Sequence, residues 1–332
     1  MTALPLADPA LADLLTARLA LVEERLRDAV THADRLADTT SRHLVNAGGK
    51  RLRPMLTLLA AQLGEGSRPE VLDAAVVVEL THLATLYHDD VMDSAPVRRG
   101  APAAHEVWGN HVAILTGDLL FARASSIVAG LGPDAVRIQA ATFERLCLGQ
   151  LHETVGPGPG ADPVEHYLQV LADKTGSLIA TSARYGAMFS GCPADVVTTL
   201  VDYGEKVGVA FQLADDVIDL TSAGAQTGKT PGTDLREKVP TMPALLLRRL
   251  AAGPQGTDAD RALVARLDGD LTSDEALADA VAGLREHAVV DETRRRAVAW
   301  ARAAVDALGT LPPGPVKDSL VLFADSVVDR AS

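Results

Sequence analysis

Leu86-Tyr87-His88-Asp89-Asp90-Val91-Met92-Asp93 decides how this chain is read, because a near copy, Leu213-Ala214-Asp215-Asp216-Val217-Ile218-Asp219, recurs far downstream. Each copy sets three carboxylates in an otherwise apolar run. Asp89 and Asp93 are four residues apart, as are Asp215 and Asp219. On a helix that spacing leaves two side chains about 40° apart on one face, one turn above the other. Close carboxylates repel unless a cation or a shared proton relieves them. One such cluster is equally well a solvated face or an N-cap. Two copies with the same apolar surroundings ask for more: two Asp-rich helices facing each other across a pocket and holding divalent metal.

The bulk of the chain fits helices. Its 332 residues are 47% apolar but only 3% aromatic, a composition that suits closely packed helices with small side chains between them. A net charge of −13 argues against a nucleic-acid or anionic-membrane surface, so cations that matter must be concentrated locally. Cys147 and Cys192 lack metal-ligand spacing, which excludes a zinc site and a disulfide scaffold. No signal peptide is legible, and no stretch approaches the ~20 uninterrupted apolar residues of a membrane span. A cytoplasmic protein is expected.

Helical periodicity runs from Ala10 to about Val45, with Asp34 and Asp38 marking breaks, and the residues through Pro9 are expected to be loose. Further helices are expected at Met55–Leu63, Glu70–Met92, 103–110, 112–130, 134–154, Pro163–Ser190 and Pro193–Leu220. Five more follow between Pro243 and residue 330, and no strand is evident. Every interruption is a short loop with its own glycine or proline, so the whole chain reads as one all-α domain. Each Asp cluster closes a long helix and precedes a loop with basic residues. Helix bundles build metal and ligand sites from inward-facing residues in this way.

All-carboxylate ligation favours Mg2+ or Mn2+. Magnesium keeps waters and shares carboxylates with a substrate phosphate, which directs attention to anion binders. Lys50, Arg51 and Arg53 sit at a glycine turn entering a helix, where free N–H groups add to the attraction for phosphate. Arg98 and Arg99 directly follow the first cluster, and arginine grips phosphate with a bidentate fork. Lys174-Thr175 and Thr227-Gly228-Lys229 complete four basic sets. The Lys50–Arg53 turn alone is more often a solvated patch and Lys229 alone a loop lysine; the combination of the four sets is the signal. Glu79-Leu80-Thr81-His82 is half of a di-iron motif whose second half the chain lacks. His82 is then either a packed core histidine or an anion ligand below Asp89.

These stretches, in order, closely resemble the trans-isoprenyl diphosphate synthases, or polyprenyl synthetases. The resemblance rests on Gly48–Pro54, Leu86–Asp93 with Arg98-Arg99-Gly100, Lys174-Thr175, Phe211-Gln212 before Asp215–Asp219, and Thr227-Gly228-Lys229 before Asp234-Leu235. It implies a helical bundle around a deep central cavity and a homodimer. It implies three Mg2+ ions, with Asp89, Asp93 and Asp215 as ligands, Asp219 beside them, and Asp90 and Asp216 in support. Arg98, Lys174, Thr175, Gln212 and Lys229 would face the diphosphate of an allylic substrate (dimethylallyl, geranyl or farnesyl). Lys50, Arg53, His82 and Arg99 would hold isopentenyl diphosphate. The implied chemistry is ionisation, condensation and elimination, with Phe211 either facing the cation or packing in the core. One departure stands out: many relatives have Glu-Gly-Lys where this chain has Glu237-Lys238-Val239-Pro240, which leaves the diphosphate contact open between Lys238 and Lys229.

Ala84 and Thr85 lie one turn below Asp89, and a turn of about 5.4 Å is roughly one isoprene unit. Both are small where short-chain relatives place aromatics, so a product longer than fifteen carbons is expected. Three rivals are weaker. A terpene cyclase usually keeps one Asp-rich motif, a non-catalytic subunit tends to lose both, and a Mg2+ hydrolase needs no long flanking helices.

Overall fold

The computed structural model describes residues 4–221 and 231–329. They are almost entirely helical: α1 Pro9–Ala29, α2 Arg35–Asn46, α3 Leu52–Ala60, α4 Pro69–Met92, α5 Ala104–Trp108, α6 Asn110–Gly130, α7 Pro133–Val155, α8 Pro163–Leu171, α9 Ser177–Phe189 and α10 Ala194–Thr221. After residue 231 come α11 Thr233–Arg236, α12 Met242–Ala252, α13 Asp258–Leu267, α14 Asp274–Arg285, α15 Ala288–Ala307 and α16 Pro315–Asp329.

Local chemistry explains the boundaries. Asp8, Asp34, Asp162, Thr257 and Ser273 each cap a helix by accepting from backbone N–H groups in its first turn. Asp34 therefore ends the first helical run by starting the second. The segment before Pro9 was expected to be loose; in the structure Leu4 is buried and the Ala7 N–H donates to Ser319 Oγ at 3.0 Å. Two further differences matter. A two-residue antiparallel ladder joins Val97–Arg98 to Ala101–Pro102, because Arg99 and Gly100 both adopt positive φ, as a tight hairpin requires. The helix expected over Pro163–Ser190 is interrupted by a π-helical turn at Ala172–Gly176, which carries Lys174 and Thr175.

The chain divides into two compact units. The first comprises Met1–Leu146, Ser177–Gly204 and Ala307–Phe323. Its centre is α4, which packs on α1, α3, α6 and α9. Leu58, Leu59, Val77, Leu80, Leu83 and Ala84 are wholly buried there. Tyr87, Tyr185 and Tyr203 are equally buried and donate their hydroxyls to the carbonyls of Thr40, Ala135 and Leu320. These bonds satisfy the polar tip of each large side chain in an apolar core. Helix α6 has a mean hydropathy of 1.6 over its most apolar window, so among the described residues it is long and apolar enough to cross a membrane. It packs on α2, α4 and α5 and carries Asp118 and Arg123 in its middle. The second unit comprises Cys147–Gly176, Glu205–Asp306 and Ala324–Ser332. In it α12 packs on α8 and α13, and α13 on α14.

Candidate active site

In the first unit, α4 delivers Asp89 and Asp93 on one face at its C-terminal end. The Asp93 N–H donates to the Asp89 carbonyl at 2.8 Å, so the helix persists through the pair. Asp93 is exposed and Asp89 partly so, whereas Asp90 turns inward and is 1% exposed. Arg98 Nε donates to Asp90 Oδ1 at 2.5 Å. Burial raises the Asp90 carboxyl above its usual range, and Arg98 opposes that shift. Its Oδ2 is buried with no partner. The terminal nitrogens of Arg98 make no protein hydrogen bond among the described residues. The Asp90 bond thus fixes the guanidinium while leaving its outer edge available.

The Gly48–Pro54 turn is built around Arg51, which is 5% exposed and stands in the left-handed region at φ 47°. Its guanidinium reaches Glu79 at 2.7 Å, Glu23 at 2.5 Å and the Val45 carbonyl at 3.1 Å. Burial works against the charge of Arg51, but these carboxylates outweigh it and raise its pKa. Glu79, the first residue of the Glu-x-x-His half-motif, is therefore committed to a cation inside the core, which removes it as an iron ligand. Arg99 donates to the carbonyls of Leu44 and Gly48 and lies 3.8 Å from Glu79. Gly49 stands at φ 147°, which other residues rarely adopt, and a Cβ there would also meet the Arg99 guanidinium carbon at 2.8 Å.

Around this frame stand the groups left to bind something. Lys50 is exposed and unpaired among the described residues. Arg53 has a buried Nε without a partner, and burial lowers its pKa to about 10, with Glu79 and Asp89 among the charges it feels. His82 is held neutral, its pKa driven well below the usual value by burial and then by Arg53, Arg99, Arg98 and Arg51. A guanidinium with a buried, unused donor and a neutral imidazole among arginines together suit an anion.

In the second unit, α10 carries Asp215 and Asp219 on one face, while Asp216 points inward and is 5% exposed. Burial raises the Asp216 carboxyl well above its usual range. It accepts from Tyr167 Oη at 2.9 Å to each oxygen and from the Met242 N–H at 2.9 Å. Asp216 thus has its lone pairs turned to protein. Lys174, in the π turn, pairs with Glu153 of α7, and Thr175 beside it is buried. Gln212 is partly exposed on α10. Lys229 and its Thr227-Gly228 neighbours lie outside the described residues.

Lys238 adopts φ 57°, a conformation natural to glycine. The Asp268 and Asp270 carboxyls sit below their usual range, held first by Arg248 and by the Thr272 N–H, with Lys238 adding to both. Lys238 therefore faces the end of α13. Of the two positions expected to govern chain length, Ala84 is wholly buried with its carbonyl toward Gly117 of α6, so it borders no open space. Thr85 is partly exposed, its hydroxyl donating to the His82 carbonyl at 2.8 Å. Reading the sequence missed Glu23, Glu79, Glu153 and Tyr167 as partners. Only Glu79 offered a signal, as the one acid on α4 between Asp73 and Asp89.

The polyprenyl synthetase family model matches residues 34–280. The nonaprenyl diphosphate synthase of Mycobacterium tuberculosis is 44% identical over 326 residues, covering 98% of this chain and 96% of that one. A solved geranylgeranyl pyrophosphate synthase from Corynebacterium glutamicum, complexed with calcium and isoprenyl diphosphate, superposes with a TM-score of 0.86 at 41% identity, covering 98% and 99%. A decaprenyl diphosphate synthase from Rhodobacter capsulatus does so at 0.86 and 36%, covering 97% and 99%. The chain belongs to the polyprenyl synthetase family. Within it, the protein is a prenyltransferase of the polyprenyl diphosphate synthase class.

Proposed function

We propose that this enzyme condenses isopentenyl diphosphate head-to-tail with an allylic diphosphate, in a Mg2+-dependent reaction, to give a trans-polyprenyl diphosphate longer than fifteen carbons. The observation that carries the reading is the first unit's group of potential donors to an anion: Arg53 with an unpartnered buried donor, neutral His82 and exposed Lys50, all in the unit that bears Asp89 and Asp93. A terpene cyclase has no need of that second anion site.

The residues fit magnesium. Asp89, Asp93, Asp215 and Asp219 offer hard carboxylate oxygen, with Asp93 exposed and Asp89, Asp215 and Asp219 partly so. That suits an ion completed by water and substrate phosphate. When bound, three Mg2+ ions (or Mn2+) would neutralise the charge on a departing diphosphate. The protein's own part is to fix Arg98 through Asp90, to offer Lys174, Thr175, Gln212 and Lys229 to the allylic diphosphate, and to hold isopentenyl diphosphate with Lys50, Arg53, His82 and Arg99. Preorganised cations of this kind act without reorganisation when the charge develops. The relative named nonaprenyl synthase and the partly open Thr85 support a long product. Exposed Ile114 and Leu115 on α6 support a homodimer.

Incubation with labelled isopentenyl diphosphate and farnesyl diphosphate tests this. Elongated products and diphosphate release that needs both substrates are expected. Release from farnesyl diphosphate alone would point to a cyclase or hydrolase, and accumulation of only a fifteen-carbon product from a shorter primer would remove the chain-length reading.

A further inference from the structure

Three of the four tyrosines donate their hydroxyls to backbone carbonyls. Tyr167 differs: its hydroxyl donates to a carboxylate, 2.9 Å from each oxygen of Asp216. Both residues are 5% exposed. The Met242 N–H completes the carboxylate's bonding at 2.9 Å. Asp216 thereby ties together three segments of the second unit. One is α8, which runs directly into the turn with Lys174 and Thr175. Another is α10, which carries Asp215 and Asp219. The third is the first residue of α12. A phenylalanine would fill the space of Tyr167 without burying a hydroxyl or asking for a buried acceptor. Asp216 also sits about 100° around α10 from Asp215, so any rotation that broke the Tyr167 bond would swing Asp215 and Asp219 with it.

We propose that Tyr167 is a positioning residue whose hydroxyl, acting through Asp216, sets the rotation of α10 so that Asp215 and Asp219 stand in register with Lys174 and Thr175 for a Mg2+-diphosphate. The proposal rests on the functional reading above. It assigns Tyr167 to the allylic diphosphate and not to isopentenyl diphosphate.

The test uses full-length Tyr167→Phe, with binding of inorganic pyrophosphate in the presence of Mg2+ followed by calorimetry. Steady-state KM values for farnesyl and isopentenyl diphosphate are measured alongside. Pyrophosphate binding is expected to weaken on the order of tenfold, the effect of one hydrogen bond to a charged group. The farnesyl diphosphate KM should rise in parallel while that for isopentenyl diphosphate stays at the wild-type value. Unchanged pyrophosphate affinity, or a lower kcat with both KM values unchanged, overturns the proposal. Should Tyr167→Phe fail to fold, Asp216→Asn keeps the shape but weakens the acceptor, and wild-type affinity and KM values there overturn it equally. A wild-type enzyme that neither binds Mg2+-pyrophosphate nor condenses its substrates refutes the functional reading itself, which is a separate result.

Discussion

Replacing Arg51 by methionine, beside a Lys50→Ala variant, separates a cation that holds the fold from one proposed to meet substrate. The two are sequence neighbours in one glycine turn, yet Arg51 is 5% exposed and Lys50 lies in solvent. Arg51 meets Glu79 at 2.7 Å and Glu23 at 2.5 Å. Charges about 4 Å apart attract by about 4 kcal/mol at an effective dielectric of 20, and desolvation offsets part of that. Removing one partner of a buried pair typically costs about 3–5 kcal/mol, because the other charge is left behind. Here Arg99 remains 3.8 Å from Glu79, so the lower end, about 3 kcal/mol, is expected. Urea unfolding at constant pH measures it. Lys50→Ala should stay within about 0.5 kcal/mol of wild type while raising the KM for isopentenyl diphosphate. An Arg51→Met protein less than about 1 kcal/mol below wild type would refute the claim that this guanidinium organises the turn.

Asp89→Ala should abolish condensation while leaving the far-ultraviolet circular dichroism of the folded chain intact; near-normal turnover would remove Asp89 from the metal ligands. Burial and four arginines lower the pKa of His82, so its unfolded form binds the proton more readily. The neutral histidine's contribution is complete above its unfolded value near 6.5 and is lost as pH falls below it, at up to about 1.4 kcal/mol per pH unit. Unfolding of wild type and His82→Gln from pH 7.5 to 5 should therefore show the wild type losing stability faster. Thr85→Phe should shorten the product as seen by chromatography, whereas Ala84→Phe, forced against α6, should cost about 1–3 kcal/mol through overpacking. Lys238→Gly relieves a positive φ and should stabilise by about 1 kcal/mol. A thermal midpoint about 2 °C higher with unchanged condensation kinetics would show it.

The helices were legible because their signals are local. Asp34 marks a break in the first helical run, and the run without glycine or proline from Glu70 to Met92 announces continuity. The two Asp clusters were legible because four-residue spacing fixes a shared face before any tertiary contact forms. Partners contributed by distant segments were not. Nothing near Glu153 foretells Lys174, and nothing near Tyr167 foretells Asp216, since each pair is made by tertiary packing across more than twenty residues. Arg51 shows the same limit in reverse. Its neighbours Lys50 and Arg53 suggested a common task, but a positive φ turns its side chain into the core. The π turn escaped for another reason: one additional residue per turn leaves the apolar periodicity of Pro163–Ser190 intact to the eye.

That turn has a consequence for how the enzyme can vary. Its widened backbone accepts Gly149 so closely that a Cβ there would lie 2.7 Å from the Lys174 amide nitrogen and 3.0 Å from its Cα. The chain before Ala172 and the chain after Gly176 are consequently out of phase by about one residue's rotation. Deleting Ala172 would restore ordinary helix and turn Lys174 by about 100° relative to α8 while leaving its own side chain in place. Here a change of length by one codon would act on Lys174 through the backbone alone, a route no point substitution offers.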